Sequence, residues 1–259
     1  MILENKTVIV TGVGGGLGRE CAASALRDGA NVVLAARTEE SLASIASELD
    51  PTGERVATKV TDITDDASCN ALSEFAVERF GTIDALVQVA AFENAWGGLH
   101  NTKFEDWRSA FDTNVLGALN VLRPVVNVMK ENGGGSVVLI GSQSMFQPQM
   151  PQGGYAASKS ALLSAMYYLA DEFGPDNIRF NMVIPSWMWG PPVEMLVNWR
   201  STNEERSRED VLNDIVGKFP LRRMTEDGEV ADVVAFFASD HAKAVTGQYL
   251  LVNSGEMFR

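Results

Sequence analysis

One segment near the start of the chain determines its architecture: Thr7-Val8-Ile9-Val10-Thr11-Gly12-Val13-Gly14-Gly15-Gly16-Leu17-Gly18. Its β-branched first part is typical of a strand buried in a parallel sheet, and its second part is a glycine-rich turn. Beyond the turn, apolar residues have the spacing of a helix face: Cys21, Ala22, Ala25 and Leu26. Glycines between a strand and a helix let the backbone approach a pyrophosphate, whose charge is favoured at the helix N-terminus. The segment predicts a dinucleotide-binding unit; a turn that only connects strand and helix is the alternative.

The rest of the chain alternates strand-like and helix-like segments. Strands are predicted at 32–35, 56–60, 85–89, 136–140 and 249–252, with another ending at Pro185, and helices at 42–49, 67–80, about 105–130 and from Tyr155 onward. Short alternating elements indicate a doubly wound parallel sheet with ligands at the carboxyl ends of its strands. Since no linker, low-complexity tract or repeat interrupts the pattern, we expect residues 1–259 to form one domain. This would be a Rossmann-like α/β fold of about seven strands with helices on both faces.

Composition restricts the class of partner. The net charge of −13 and the pI near 4.6 argue against a nucleic-acid partner, because phosphate backbones are bound by basic patches. Cys21 and Cys69 lack a CxxC spacing and the only histidines, His100 and His241, lie far apart, so we expect no disulfide framework and no metal site. Neither a membrane-length apolar run nor a secretory signal is present. These features predict a cytoplasmic protein that has no membrane partner and binds a small-molecule substrate.

The end of the second predicted strand bears on the choice of dinucleotide. There, Ala36-Arg37 occupies the place where a dinucleotide fold meets the adenosine ribose, and where an acidic residue would bind the 2′-hydroxyl. Alanine removes the repulsion of a 2′-phosphate, and the guanidinium of Arg37 adds a bidentate partner for it. The pair favours NADP(H). NAD(H) is the alternative, in which Arg37 stacks on adenine or faces water.

Tyr155 and Lys159 are the candidates for proton transfer. Residues four apart in a helix share a face, so the Lys159 ammonium would lie beside the Tyr155 phenol. Such a charge favours the phenolate and would lower the pKa of Tyr155 from about 10 towards the working pH. The tyrosine could then act as a general acid or base. A chance Tyr-x-x-x-Lys pair is the alternative, so the interpretation depends on the surrounding motifs.

Two further polar residues belong to the same sheet edge or its helices. Asn114 interrupts an apolar helix face, where a buried amide would close a gap in the backbone, hold an ordered water, or do both. Ser142 follows the fifth predicted strand, and the loop up to Tyr155 is long enough to place its hydroxyl beside the phenol. A serine hydrolase is excluded, because no Gly-x-Ser-x-Gly elbow is present.

These motifs, taken in order, resemble those of the classical short-chain dehydrogenases/reductases along nearly the whole chain. Thr11, Gly12, Gly16 and Gly18 match the family's TGxxxGxG pattern, and Asp62 matches its adenine-binding aspartate. The four catalytic positions of the family are matched by Asn114, Ser142, Tyr155 and Lys159. The resemblance implies a dinucleotide-dependent enzyme that acts on an alcohol or a carbonyl group.

The resemblance also implies a role for each residue. Tyr155 would exchange a proton with the substrate oxygen, and Ser142 would hydrogen-bond the same oxygen. Lys159 would hold the nicotinamide ribose and lower the pKa of Tyr155, while Asn114 would anchor a water that links Lys159 to solvent. Together with the strand ends, the family pattern predicts a cofactor site formed by Thr11, Gly12, Gly16, Leu17, Gly18, Arg37, Asp62, Ile63, Ala90, Tyr155, Lys159, Pro185, Ser186 and Met188.

The chain departs from the family pattern at three places. Gln88-Val89-Ala90-Ala91 stands where Asn-Asn-Ala-Gly is common, Pro185-Ser186 replaces Pro-Gly, and Gly190 stands where a threonine often contacts the carboxamide. The nicotinamide would then be held by backbone groups of Ser186 and Met188. All four catalytic positions are filled, so these departures do not indicate a loss of activity.

Apolar residues near the same edge suggest the substrate. A lid is predicted over about 187–218, and a substrate pocket is predicted from Phe92, Trp96, Met145, Phe146, Met150, Trp187, Trp189, Met195 and Trp199. Packing of the lid or filling of an oligomer interface is the alternative role for these side chains. The hypothesis is an oxidoreductase for a bulky, mostly apolar secondary alcohol or ketone. A 3-oxoacyl thioester reductase and a non-catalytic dinucleotide sensor are the alternatives, and the family resemblance implies a homotetramer.

Overall fold

A seven-stranded sheet forms the centre of the protein, whose computed structural model describes residues 1–258. The strands are β1 Thr7–Thr11, β2 Asn31–Ala36, β3 Val56–Val60, β4 Ala85–Gln88, β5 Gly135–Ile140, β6 Ile178–Pro185 and β7 Gln248–Val252. Their order is β3-β2-β1-β4-β5-β6-β7, and every neighbouring pair is parallel. The Rossmann-like doubly wound sheet predicted from the sequence is confirmed.

The strand order reverses beside β1. β1 pairs with β2 on one side, with Ile9 opposite Val33, and with β4 on the other, with Ile9 opposite Leu86. The chain therefore crosses from one half of the sheet to the other between β3 and β4, and a crevice opens where the two halves diverge. Thr11 and Gln88 end their strands at this point.

Helices cover both faces of the sheet. They are α1 Leu17–Arg27, α2 Glu39–Leu49, α3 Asp66–Phe80, α4 Phe104–Phe111, α5 Ala118–Glu131, α6 Gly153–Phe173, α7 Pro191–Asn203, α8 Arg208–Val216 and α9 Asp227–Ala238. One core cluster joins α1, α2 and α9 to the sheet, and the other joins α3, α5 and α6 to its opposite face. Cys21 lies in the first cluster and Cys69 in the second, both as buried free thiols.

The long helix predicted at about 105–130 contains an irregular turn. α4 and α5 are joined by a π-helical segment, Asp112–Gly117, whose wider turn holds the buried Asn114. A Cβ on Gly117 would lie 3.0 Å from the Ile63 side chain, so glycine lets this turn approach the loop after β3. Hydrophobic periodicity does not reveal one extra residue in a turn, and for this reason a single regular helix was expected.

α7 and α8 form a small helical layer at the carboxyl edge of the sheet. They share a hydrophobic cluster of their own, formed by Val193, Val197, Val211, Ile215 and Phe219, against which Met150 and Trp187 pack. Ion pairs from Arg200 and Arg206 to Glu204 and Asp214 join the outer ends of the two helices. Within residues 1–258, none of the helices combines the length and apolar character needed to cross a membrane.

Candidate active site

A cleft of about 560 Å³ follows the carboxyl edge of the sheet. The glycine turn forms one end, and the segments after β2, β3, β4, β5 and β6 form its floor and walls. Of the fourteen expected cofactor residues, all but Thr11 line this cleft. Thr11 lies just beneath it, fully buried at the end of β1.

The glycine turn is shaped by close backbone contacts. A Cβ on Gly12, whose φ is +69°, would lie 2.4 Å from the Ala90 nitrogen, and one on Gly18 would lie 2.4 Å from the Gly12 carbonyl oxygen. No side chain fits at either place. Gly14 and Gly15 instead face open space, with nothing within 4 Å of their Cβ positions. The turn thus leaves room for phosphate groups before the N-terminus of α1, which fits a dinucleotide pyrophosphate.

Gln88 braces the two strands at the crevice. Its Oε1 accepts a 2.7 Å hydrogen bond from the Thr11 hydroxyl, and its Nε2 donates to the Ala90 carbonyl at 3.2 Å. The departure from asparagine therefore ties the end of β1 to the loop after β4. Ala91, which replaces the family's glycine, lines the cleft.

The adenosine end of the cleft is formed by segments after β2 and β3. Arg37 is exposed, and within residues 1–258 its guanidinium has no hydrogen-bonding or ion-pairing partner. The Asp62 carboxylate accepts hydrogen bonds from the Thr64 amide at 2.9 Å and the Thr64 hydroxyl at 2.7 Å. These hydrogen bonds lower the pKa of Asp62, and the nearby charge of Arg37 lowers it further. Asp62 is thus held as a carboxylate near a guanidinium with which it forms no direct contact.

Tyr155 and Lys159 lie in the first turns of α6, on the face that borders the cleft. Lys159 is 2% exposed, and its Nζ donates a 2.8 Å hydrogen bond to the Ile140 carbonyl at the end of β5. Its Nζ lies 5.9 Å from the centroid of the Tyr155 ring. The helix spacing thus brings the pair together, and β5 orients the ammonium.

The pKa of Tyr155 differs from the expectation. Burial and then the charge of Glu93 raise the pKa of Tyr155, whereas a hydrogen bond with Ser142 lowers it. Burial also lowers the pKa of Lys159 to about 8, although Glu93 opposes this effect. The expected lowering of the phenol pKa was wrong, because helix spacing predicts proximity but not the cost of burying a charge. Tyr155 is a neutral phenol in this structure.

Ser142 follows β5 and lines the cleft beside Tyr155. Its Oγ lies 2.9 Å from the Oγ of Ser144, and the Ser144 amide donates to it at 3.3 Å. This short helical turn, Gln143–Met145, holds the Ser142 hydroxyl towards α6. A ligand oxygen in the cleft can therefore meet two hydroxyl groups, one from Ser142 and one from Tyr155.

Asn114 does not line the cleft, but it connects two segments that do, the loop after β4 and the start of α6. Its Oδ1 accepts from the Phe92 amide at 2.6 Å, and its Nδ2 donates to the Phe92 carbonyl at 3.0 Å and to the Ser158 hydroxyl at 2.9 Å. Ser158 in turn donates to the Tyr155 carbonyl at 2.7 Å. The structure contains the first of the roles expected for this residue: its side chain closes a gap between the loop after β4 and α6.

The expected substrate pocket is only partly assembled. Met150, Trp187 and Trp189 line the cleft, whereas Phe92, Trp96, Met145, Phe146, Met195 and Trp199 do not. Met195 and Trp199 are 52% and 61% exposed on α7, because they lie away from the cluster that α7 shares with α8. Phe146 turns towards the sheet core instead, with its ring 5.5 Å from that of Tyr249.

Several polar residues on the cleft wall were not identified from the sequence. They are Glu93, Ser144, Gln149, Gln152 and Asp227. Gln149 and Gln152 lie in the loop between Ser142 and Tyr155, and this position between two candidate catalytic residues was the available signal. For Glu93 and Asp227 no motif was present, since they reach the cleft through tertiary packing. The lining of the cleft is therefore more polar than expected.

Comparison with known proteins agrees with this geometry. Residues 12–256 match the sequence model of a family described as "Enoyl-(Acyl carrier protein) reductase". The chain is 32% identical to 3-oxoacyl-[acyl-carrier-protein] reductase FabG of Thermotoga maritima over 255 residues, covering 98% of this chain and 99% of that protein. It is also 32% identical to the A-factor type gamma-butyrolactone 1'-reductase of Streptomyces virginiae, covering 98% and 96%. A crystal structure of an actinorhodin polyketide ketoreductase variant with NADPH matches with a TM-score of 0.88, at 30% identity and 97% coverage of each chain.

Proposed function

This chain belongs to the short-chain dehydrogenase/reductase family and is a nicotinamide-dependent oxidoreductase of CH–OH or C=O groups, and we propose that it uses NADP(H) to interconvert a bulky secondary alcohol and its ketone. One observation carries the proposal. Tyr155, Ser142 and Lys159 lie on the wall of the same cleft that the glycine turn closes at its other end. A dinucleotide extended along the cleft would bring its reactive ring to the two hydroxyl groups.

Different residues of the cleft would hold different parts of the cofactor. The glycine turn would receive the pyrophosphate, Asp62 the adenine, and Lys159 the nicotinamide ribose. Pro185, Ser186 and Met188 border the other end, where the backbone after β6 would contact the carboxamide. When bound, the nicotinamide supplies or accepts the hydride.

Side chains of the protein transfer the proton and stabilise the charge on the substrate oxygen. The neutral phenol of Tyr155 donates a proton to the substrate oxygen during ketone reduction, and Ser142 hydrogen-bonds that oxygen as negative charge develops. The Lys159 ammonium, fixed by Ile140, favours the phenolate that remains. Asn114 acts indirectly, by holding the start of α6 against the loop after β4.

NADP(H) is supported by the free guanidinium of Arg37. Ala36 carries no charge to repel a 2′-phosphate, and Thr38, which precedes α2, makes no side-chain capping hydrogen bond. Both Arg37 and Thr38 line the adenosine end of the cleft and remain available to a phosphate. A ribose bearing a free 2′-hydroxyl would find no carboxylate at Ala36.

A bulky substrate is supported by Trp187, Trp189 and Met150, which add large apolar side chains to the lining of the cleft. The second candidate is a 3-oxoacyl thioester, which the similarity to the Thermotoga maritima reductase favours. A phosphate-bearing thioester carrier needs a basic rim, and the only basic residues lining the cleft in the described part of the chain are Arg37 and Lys159. We therefore favour the uncharged ketone.

The proposed function is tested with a panel of substrates and both cofactors. Cyclic apolar ketones, a polyhydroxylated sugar and a 3-oxoacyl thioester are compared at equal concentration by nicotinamide absorbance. We expect the highest kcat/KM for a cyclic ketone with NADPH. A higher value for the thioester would select the second candidate. No turnover of any substrate, together with tight dinucleotide binding, would select the dinucleotide sensor.

We also propose a homotetramer built on the α4 and α6 surface. Phe104, Phe111 and Leu116 are exposed on α4 and the π-helical segment, and Tyr167 and Tyr168 on α6. These exposed apolar side chains fit a two-fold interface. Light scattering at micromolar concentration should give four chains per particle, and a monomeric mass would contradict the proposal.

A further inference from the structure

The chain turns back towards the cleft after β7. Residues 253–257, the C-terminal strap, contact two loops of the active site. Asn253 is buried, and its Nδ2 donates a 2.6 Å hydrogen bond to the Oε1 of Gln143, the residue after Ser142. The same Nδ2 donates to the Met257 carbonyl at 3.1 Å, and the Gly255 amide donates to Oδ1 at 3.0 Å. The strap is thus a folded segment that is anchored beside Ser142.

Glu256 is the centre of a second contact. Its carboxylate accepts hydrogen bonds from Gln149 Nε2 at 3.0 and 3.1 Å and from Trp187 Nε1 at 3.2 Å, and it also accepts one from the Ser186 hydroxyl. All three donors line the cleft. Gln149 lies in the loop before α6, whereas Ser186 and Trp187 follow β6. One carboxylate therefore joins the two loops that wall the substrate end.

The chemistry of these contacts suits an ionised carboxylate. A carboxylate has only acceptor sites, and here an amide, a hydroxyl and an indole N–H converge on it. No Lys or Arg forms an ion pair with Glu256 within residues 1–258, so these donors provide its stabilisation. Hydrogen bonds to a charged acceptor are about twice as strong as neutral ones, and partial burial of Glu256 protects them from water.

The contact also explains a departure from the family pattern. Ser186 replaces the glycine that commonly follows the proline of β6, and its hydroxyl is held by Glu256 rather than left beside the cofactor. Trp187 is oriented by the same carboxylate, while the tryptophan packs against the cluster between α7 and α8. The position of the tryptophan, and with it the base of the helical layer, therefore depends on the strap.

We propose that Glu256 is a positioning residue that sets the specificity of the active site by fixing Trp187 and Gln149 as its substrate wall. The proposal rests on the oxidoreductase function proposed above. Glu256 does not line the cleft. It acts through residues that do, so its loss should weaken the binding of a bulky substrate while the proton-transfer groups and the glycine turn keep their geometry.

The first test compares Glu256→Ala with Glu256→Gln. We expect Glu256→Ala to raise KM for a cyclic ketone about tenfold or more, with kcat changed by less than about threefold and the Kd for NADPH nearly unchanged. Glutamine keeps one acceptor oxygen, so Glu256→Gln should restore part of the loss. Glu204→Gln is the matched control, since it removes a carboxylate from the α7 and α8 layer without touching the cleft. An equal rise in KM for the control would overturn the proposal.

The second test is a double-mutant cycle with Trp187→Phe, which keeps an aromatic ring but removes the indole N–H. If Glu256 acts through Trp187, the rise in KM for the double variant should fall well short of the product of the two single effects. Fully multiplicative effects would contradict a shared role. Near-UV circular dichroism gives a readout that is independent of turnover. Glu256→Ala should lose signal that Trp187→Phe also loses, and an unchanged spectrum would overturn the positioning role even if the parent protein reduced no ketone.

Discussion

The Nζ of Lys159 lies 5.9 Å from the ring centroid of Tyr155 and donates its hydrogen bond to the Ile140 carbonyl, at 2.8 Å. The ammonium is therefore positioned by the sheet and acts on the phenol through its charge. In this structure burial, and after it the charge of Glu93, raises the pKa of Tyr155. The pair is thus prepared as an acid whose conjugate base is stabilised only when the reaction generates it.

Replacement of the phenol hydroxyl tests its role as the proton donor. Tyr155→Phe should reduce kcat by about a hundredfold or more, because only the transferable proton is removed, while the Kd for NADPH stays nearly the same. Steady-state kinetics and fluorescence titration measure the two quantities. Tyr168→Phe, which changes an exposed tyrosine of the same helix, is the control. A Tyr155→Phe enzyme that retains most of its turnover would refute the assignment.

Cofactor preference should follow the residues after β2. In Ala36→Asp with Arg37→Ala, a carboxylate that repels a 2′-phosphate replaces a guanidinium that binds it, so we expect the Kd ratio to shift towards NAD(H) by about a hundredfold or more. Isothermal titration with both dinucleotides measures the shift. Arg27→Ala removes an exposed arginine that pairs with Asp232 away from the cleft and should leave the ratio unchanged. If the parent already prefers NAD(H), Arg37 does not bind a phosphate.

The charge of Glu93 should affect the pH dependence of kcat/KM for ketone reduction. Glu93 raises the pKa of both Tyr155 and Lys159, so Glu93→Gln should lower both. Ketone reduction requires a neutral phenol and a charged ammonium, and both forms are lost as the pH rises through their pKa values. The alkaline limb of kcat/KM for reduction should therefore move to lower pH in Glu93→Gln, by about half a unit or more. An alkaline limb that stays in place, or moves to higher pH, would show that the Glu93 charge does not reach the pair.

Burial of the Lys159 ammonium should lower the free energy of unfolding, although turnover requires this group. Its pKa in the folded protein is about 8, below its ordinary value of 10.5, so the unfolded chain binds more protons between these pH values and the parent becomes more stable as the pH rises through them. Lys159→Met removes the buried charge and should raise Tm at pH about 7, with a smaller advantage at pH about 10, while abolishing turnover. Calorimetry at the two pH values measures both changes. A Tm below that of the parent at neutral pH would show that the ammonium stabilises the fold.

Local patterns in the sequence were sufficient for most of the fold. β-branched runs and helical apolar spacing depend on near neighbours, and these predicted the parallel sheet, most of its flanking helices and the glycine turn. The helix α9, which packs on the same face of the sheet as α1, was not predicted. Tyr155 and Lys159 were recognised for the same reason, since a helix brings residues four apart together. The π-helical segment Asp112–Gly117 was not recognised, because an extra residue in one turn leaves the surrounding apolar pattern intact.

Only the tertiary structure determined which apolar side chains face the cleft and how its charges behave. Trp187 lines it and Trp199 does not, although the sequence presents both in one apolar segment. Trp187 precedes α7 and is oriented by Glu256, whereas the core that α7 shares with α8 leaves Trp199 exposed. The pKa of Tyr155 depends on burial, which no spacing encodes. Glu256 meets Gln149 across 107 residues of sequence, and contacts at this separation leave no periodic signal for a single sequence to reveal.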